Sequence, residues 1–215
     1  MGVPIVYRSG GEEIIQSYNY TDIITGTGYV LLYAGKCLSG AYLSNIAFAS
    51  EHANVATLGQ KAGAGAATKQ IDQDFDVLVN KPMTIQGKLI VNVSHRVWNS
   101  SSDGTMYLIA RFRKWNGVTE TEIAVSGNSN YINCTGGGAE DITIASLDMT
   151  IPLTLFKKGE YIRVTIEAWL TSTGAGATNG EIAHDATGRT TDFSPAWNAN
   201  FSTILKVFLP VRLDL

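Results

Sequence analysis

Apolar and polar residues alternate along most of this chain, and no stretch keeps the period of an amphipathic helix. The alternation is cleanest over Tyr161–Thr171. There Ile162, Val164, Ile166, Ala168 and Leu170 share one side, and Tyr161, Arg163, Thr165, Glu167 and Trp169 the other. The same pattern puts Met106, Leu108, Ala110 and Phe112 opposite Tyr107, Ile109, Arg111, Arg113 and Trp115. Phe75, Val77 and Val79 alternate with Asp74, Asp76 and Leu78, and Leu89, Val91 and Val93 continue the pattern toward Trp98. Near the C-terminus Leu205, Val207, Leu209, Val211 and Leu213 line one face. Further strands are expected at Ile14–Tyr18, Tyr29–Ala34, Ala41–Ala49, Val118–Val125 and Ile142–Met149 continuing to Leu155.

Turn chemistry separates these segments. Asn116-Gly117 is the strongest hairpin signal, because both residues tolerate positive φ. Asn80-Lys81-Pro82 ends a strand, since proline cannot donate to a ladder. Asn99–Gly104 and Phe156–Glu160 read as turns. Three stretches lack alternation and read as loops: 51–70, 126–140 and 172–200. The first holds Ala62–Ala67, which has almost no side-chain bulk, and a short helix near His52–Leu58 is its alternative. The expectation is an all-β antiparallel β-sandwich of roughly eight to ten strands with long loops. A jelly roll is the specific form expected, as one domain over 1–215 with an N-terminal arm over 1–13.

Composition supports strands. Gly, Ser, Thr and Asn make up a third of the 215 residues, and Ile, Val and Thr a quarter. Only 16% of residues are charged, which suits a surface partly covered by other subunits. A net charge of -3 offers no basic footprint for nucleic acid. Apolar runs are too short for a membrane helix, and Met1–Arg8 lacks the pattern of a secretory signal. Neither nucleic acid nor membrane is therefore expected as a partner.

Candidate chemistry is sparse. His52, His95 and His184 fall in no metal-binding motif, and no serine sits in a nucleophile elbow. No cofactor motif is present, and no catalytic residue is assigned. His184-Asp185 with Glu181 is the one candidate centre for a hydrolase or isomerase; a hydrogen-bonded loop that also uses Arg189 is the alternative. Asp72, Asp74 and Asp76 would share one face of a strand. They are either a Ca²⁺ site or the solvent side of an edge strand. Cys37 and Cys134 lie 97 residues apart without a CxxC pattern, and read as reduced, partly buried thiols, with a disulfide between them as the alternative. Trp98, Trp115, Trp169 and Trp197 would fill an interface or second core, or form a glycan platform.

Ile151–Leu155, Phe156-Lys157-Lys158-Gly159-Glu160 and Tyr161–Leu170 resemble the late strands of tumour-necrosis-factor-like and complement-head-like jelly rolls. Four further pieces are similar to virion structural proteins of tailed phages and related prokaryotic viruses. They are Tyr20–Val30, Phe75-Asp76-Val77 leading to Lys81–Gly87, His184–Arg189 and Val207–Leu213. This resemblance implies a non-enzymatic, capsid-associated or decorating protein on the virion. It implies self-association as a symmetric oligomer, a trimer, and contact with other virion proteins such as a major capsid protein. The alternative is a glycan- or receptor-binding module of a phage fibre or tail. Strand faces nominate the interface residues Tyr107, Arg111, Arg113, Trp115, Tyr161, Arg163 and Trp169, with the 51–70 loop beside them.

Overall fold

A computed structural model describes residues 16–17, 27–37, 40–45, 56–138, 140–184 and 204–212. Thirteen strands and no helix occur among them, more strands than the roughly eight to ten expected. They are β1 (Gln16–Ser17), β2 (Thr27–Cys37), β3 (Gly40–Ser44), β4 (Ala56–Lys61), β5 (Gly65–Leu78), β6 (Met83–Asn99) and β7 (Gly104–Trp115). Then follow β8 (Glu120–Val125), β9 (Ile132–Cys134), β10 (Glu140–Phe156), β11 (Tyr161–Ser172), β12 (Thr178–Ala183) and β13 (Leu205–Arg212). The expected arm over 1–13, Asp185, Arg189 and Trp197 lie outside the described residues.

All pairings are antiparallel except one bridge between β3 and β5, Tyr42 with Asp76. The strands form two packed layers. In the first, β6 pairs along one edge with β10, and along the other with β13 and β12 in turn. Beyond these lie β2 and β3 on one side and β4 on the other. The second layer runs β5-β11-β7, with β8 and β9 on the outer edge of β7. Between the layers sits one apolar core, including Phe75, Leu89, Val91, Val93, Leu108, Phe112, Phe156, Val164, Ile166 and Val207, each fully buried. The inward sets read from alternation in β7, β11 and β13 fill it, Leu213 alone lying outside the described residues.

The two flanks of the sandwich differ. On one, the β3–β5 bridge and the β4–β5 turn join the layers. On the other, β10 faces β8 and β9 without a shared ladder. Two hydrogen bonds cross it: Lys114 Nζ to Leu155 O (3.0 Å) and Asn133 N to Asp141 Oδ2 (3.4 Å).

Three expected loops are corrected. Within 51–70, neither a long loop nor a helix forms over the described residues. Residues 56–61 are β4, Gly63 at φ 71° makes the turn, and β5 begins at Gly65. Backbone pairing of β4 with β12 holds this segment, so it needs no bulky alternation. The 126–140 stretch contains β9, and 172–200 contains β12, whose Gly180 approaches Leu170 and Met106 too closely for a side chain. Elsewhere the punctuation holds. Asn116 Oδ1 accepts from Val118 N and Thr119 N, with Gly117 at φ 92°.

Candidate functional site

The outward side of the second layer is where the polar half of each alternating strand collects. Register on β11 sets the rows. Tyr161 lies between Leu78 and Trp115, Arg163 between Asp76 and Arg113, and Thr165 between Asp74 and Arg111. Glu167 follows between Asp72 and Ile109, then Trp169 between Lys69 and Tyr107. From β8, Glu120 stands opposite Trp115 and Glu122 opposite Arg113. All seven nominated interface residues therefore share one face, with Asp72, Asp74 and Asp76 beside them.

This face is an ion-pair network with aromatic ends. Arg163 grips Asp76 with two hydrogen bonds of 2.7 Å and reaches Glu120 at 2.7 Å and Asp74 at 3.0 Å. Such fork-to-carboxylate geometry fixes direction as well as charge. Arg113 contacts Glu120 at 2.9 Å and donates to Thr165 at 3.1 Å. Arg111 holds Glu167 through Nε (2.8 Å) and Nη2 (3.3 Å), and Glu122 through Nη1 (2.7 Å). Glu167 also receives Lys69 Nζ and the Trp169 indole N–H, both at 3.2 Å. At one end the Arg163 guanidinium lies 4.4 Å over the Trp115 ring, and Trp115 packs on Tyr161 at 4.9 Å. At the other, Tyr107 stacks beside Trp169 (6.2 Å, 8° between planes) and meets Tyr131 at 4.9 Å.

The electrostatics follow from these contacts. Burial alone would raise the Glu167 carboxyl. Hydrogen bonds from Arg111, Trp169 and Lys69 outweigh it and hold the group below its usual value. Glu167 raises Arg111 in return, Asp76 raises Arg163, and Asp72 raises Lys69. Glu167, Arg111, Arg163 and Lys69 thus stay ionised at neutral pH. Asp72 pairs with Lys69 at 2.6 Å, while Asp74 and Asp76 pair with Arg163, so all three carboxylates of the calcium reading have cationic partners. No three His, Cys, Asp or Glu side chains converge as a metal site among the described residues.

Other candidates are dispersed. Glu181 turns to Arg96, which is 1% exposed and bonded at 2.8 Å (Nε) and 2.7 Å (Nη2). His184 instead packs by Phe75 (5.8 Å between rings) and meets Thr57 Oγ1 at 3.1 Å. Glu181 and His184 thus turn to different partners, and Asp185, the third member of the candidate hydrolase centre, lies outside the described residues. His95 is fully buried, and that burial lowers it to about 4. Trp98 lies 4.3 Å beneath Arg96. The free thiol of Cys134 is buried and pushed up by burial, and donates weakly to Gly104 O; the Cys37 side chain is outside the described residues.

Reading strands singly missed Glu167, Glu120, Glu122 and Lys69 as members of the network. The signal was an acidic residue on the outward parity of the strand nearest each arginine, but only register says which strand that is.

No family model matches the chain, and no curated protein matches it. Solved structures do share its fold. An aminopeptidase from a marine sediment Thaumarchaeota archaeon aligns at TM-score 0.53 and 7% identity, over 86% of this chain and 37% of that one. An α-amino acid ester hydrolase aligns at 0.50 and 10%, over 85% and 36%. A CocE/NonD family hydrolase from Staphylococcus aureus aligns at 0.45 and 13%, over 86% and 37%. The chain spans little more than a third of these neighbours' length. Their occurrence corrects the expectation of a non-enzymatic chain. This fold is found within an aminopeptidase and an ester hydrolase, so neither the all-β architecture nor the lack of a catalytic motif argues against an enzyme.

Proposed function

We propose that the chain is an assembly module whose working surface is the outward face of β5-β11-β7-β8. The carrying observation is that Tyr107, Arg111, Arg113, Trp115, Tyr161, Arg163 and Trp169 share one face. Tyr, Trp and Arg are the residue types that dominate contact energies at protein interfaces. Here they are half-buried and already held by neighbours, so little side-chain freedom remains to be lost on contact. Trp115 with Tyr161 and Trp169 with Tyr107 act as two anchors. The carboxylates between them orient the arginines and set the register of contact. A symmetric oligomer on a virion, a trimer contacting capsid proteins, is the assembly that the sequence resemblance supports. Size-exclusion chromatography with light scattering tests it. A stable oligomer that W115A/Y161A/W169A dissociates is expected; a wild-type monomer at micromolar concentration overturns it.

The structural neighbours favour a second reading, a β-sandwich part of a larger hydrolytic enzyme. Turnover of an amino-acid ester or an aminoacyl anilide by a longer protein that contains this chain, lost when the chain is removed from it, would select it over the first.

A further inference from the structure

We propose that the free edge of β10 is a strand-addition site for the β10 of a second copy, joined antiparallel about a two-fold axis. This surface is separate from the outward face of the second layer. β10 pairs only with β6 among the described residues, leaving its other edge without a ladder on the flank it shares with β8 and β9. Natural edge strands of such length are usually interrupted or charged along their whole run. On β10 those devices sit at the ends: Glu140 and Asp141 at one, Pro152 and the register shift between Ile151 and Thr154 at the other. Between them, Ile142–Ile151 carries a single charge, Asp148. Exposed apolar side chains lie along β10 itself: Ile144 (45%), Leu153 (59%) and Leu155 (54%).

The sequence of β10 is complementary to itself in one register. A two-fold axis normal to the sheet keeps outward residues opposite outward residues, so the sum of paired residue numbers is even. Centring on Ser146 sets Asp148 against Ile144, centring on Asp148 sets like charges together, and centring on Met149 brings Pro152 into the ladder opposite Ser146. Centring on Leu147 places Ser146 opposite Asp148 of the copy, where a hydroxyl donates to a carboxylate that Lys88 of its own chain holds at 3.0 Å, and Ile144 opposite Thr150. Ile142 then faces Pro152, whose missing N–H closes the ladder. Ser146, Asp148 and Thr150 are all exposed, and no side chain has to leave the core.

The register predicts opposite effects from two substitutions at one exposed position. S146D sets a carboxylate against Asp148 of the copy twice, whereas S146K sets an ammonium there twice. Analytical ultracentrifugation of the full chain across the micromolar range is expected to show a dimer contact that S146D weakens about ten-fold or more and S146K preserves or tightens. Equal effects of the two substitutions, or no such contact in the wild type at about 100 μM, overturn the proposal. Hydrogen exchange on the unmodified chain gives a reading independent of variant folding. Protection of the 142–151 amides should rise with protein concentration; unchanged protection overturns the proposal as well. W115A/Y161A/W169A, which tests the outward face, should leave this contact intact.

Discussion

On the inner side of β11, Ile162, Val164, Ile166, Ala168 and Leu170 are each 2% exposed or less. On its outer side, Arg163, Glu167 and Trp169 are held by hydrogen bonds or ring contacts to named partners on β5 and β7. The strand is the same, but its two sides are organised by different physics. Burial is non-directional, so the inner side needs only apolar residues of fitting volume at every second position. Ion pairs and stacked rings are directional, so the outer side depends on which residue stands opposite which.

Four measurements would break or sharpen this contrast. The largest effect belongs to the inner side. Phe112 is fully buried against Phe156 (5.9 Å between rings), and F112A should cost about 3–5 kcal/mol in denaturant unfolding. His95 puts a titratable group on that side, sharing the parity of Val93 and Val97. The fold prefers it neutral, with a folded value of about 4 against 6.5 unfolded. Its stability contribution is therefore complete above pH 6.5 and declines as pH falls toward 4, by on the order of 3 kcal/mol. H95Q should flatten that window in a pH series of unfolding midpoints. On the outer side, E167Q strips the central charge from Arg111 and Lys69. Because Arg111 keeps Glu122 and stays 24% exposed, the loss should be about 2 kcal/mol by the same unfolding assay. The acid response of Glu167 should also appear later than that of His95. Its folded value is lowered, so its contribution is present above the usual carboxylate range and is lost only as pH falls through it. The smallest effect is D72N. Its salt bridge with Lys69 is exposed on both sides, and thermal melting should register no more than about 0.5 kcal/mol.

Much of the sandwich was legible because parity is a local property. Met106–Phe112, Ile162–Leu170 and Leu205–Val211 each declared their buried side without reference to a partner. β4 and β12 did not, because Ala56–Lys61 and Thr178–Ala183 are ordered by pairing with each other and with β6. In such segments Gly59 and Gly180 are chosen for close approach to Ile71 and Leu170, a constraint that alternation does not record. The candidate face was half legible. Its seven aromatic and arginine members followed from outward parity, whereas Glu167 looked like any other outward residue until register set it beside Arg111. Glu181 and His184 show the same limit. They are three residues apart in the chain, yet one turns to Arg96 and the other to Phe75.

The sequence by itself determined the all-β class, the strand boundaries marked by Asn116-Gly117 and Asn80-Lys81-Pro82, and the buried sides of β7, β11 and β13. Those are consequences of backbone preference and side-chain alternation, which operate over a few residues. Only the tertiary structure decided which strands are neighbours. It thereby decided that Asp76 meets Arg163, that Trp169 meets Tyr107, and that β10 pairs with β6 alone among the described residues. Strand order is set by how two twisted layers can bury their apolar sides together. That is a property of the whole chain, carried by no single segment.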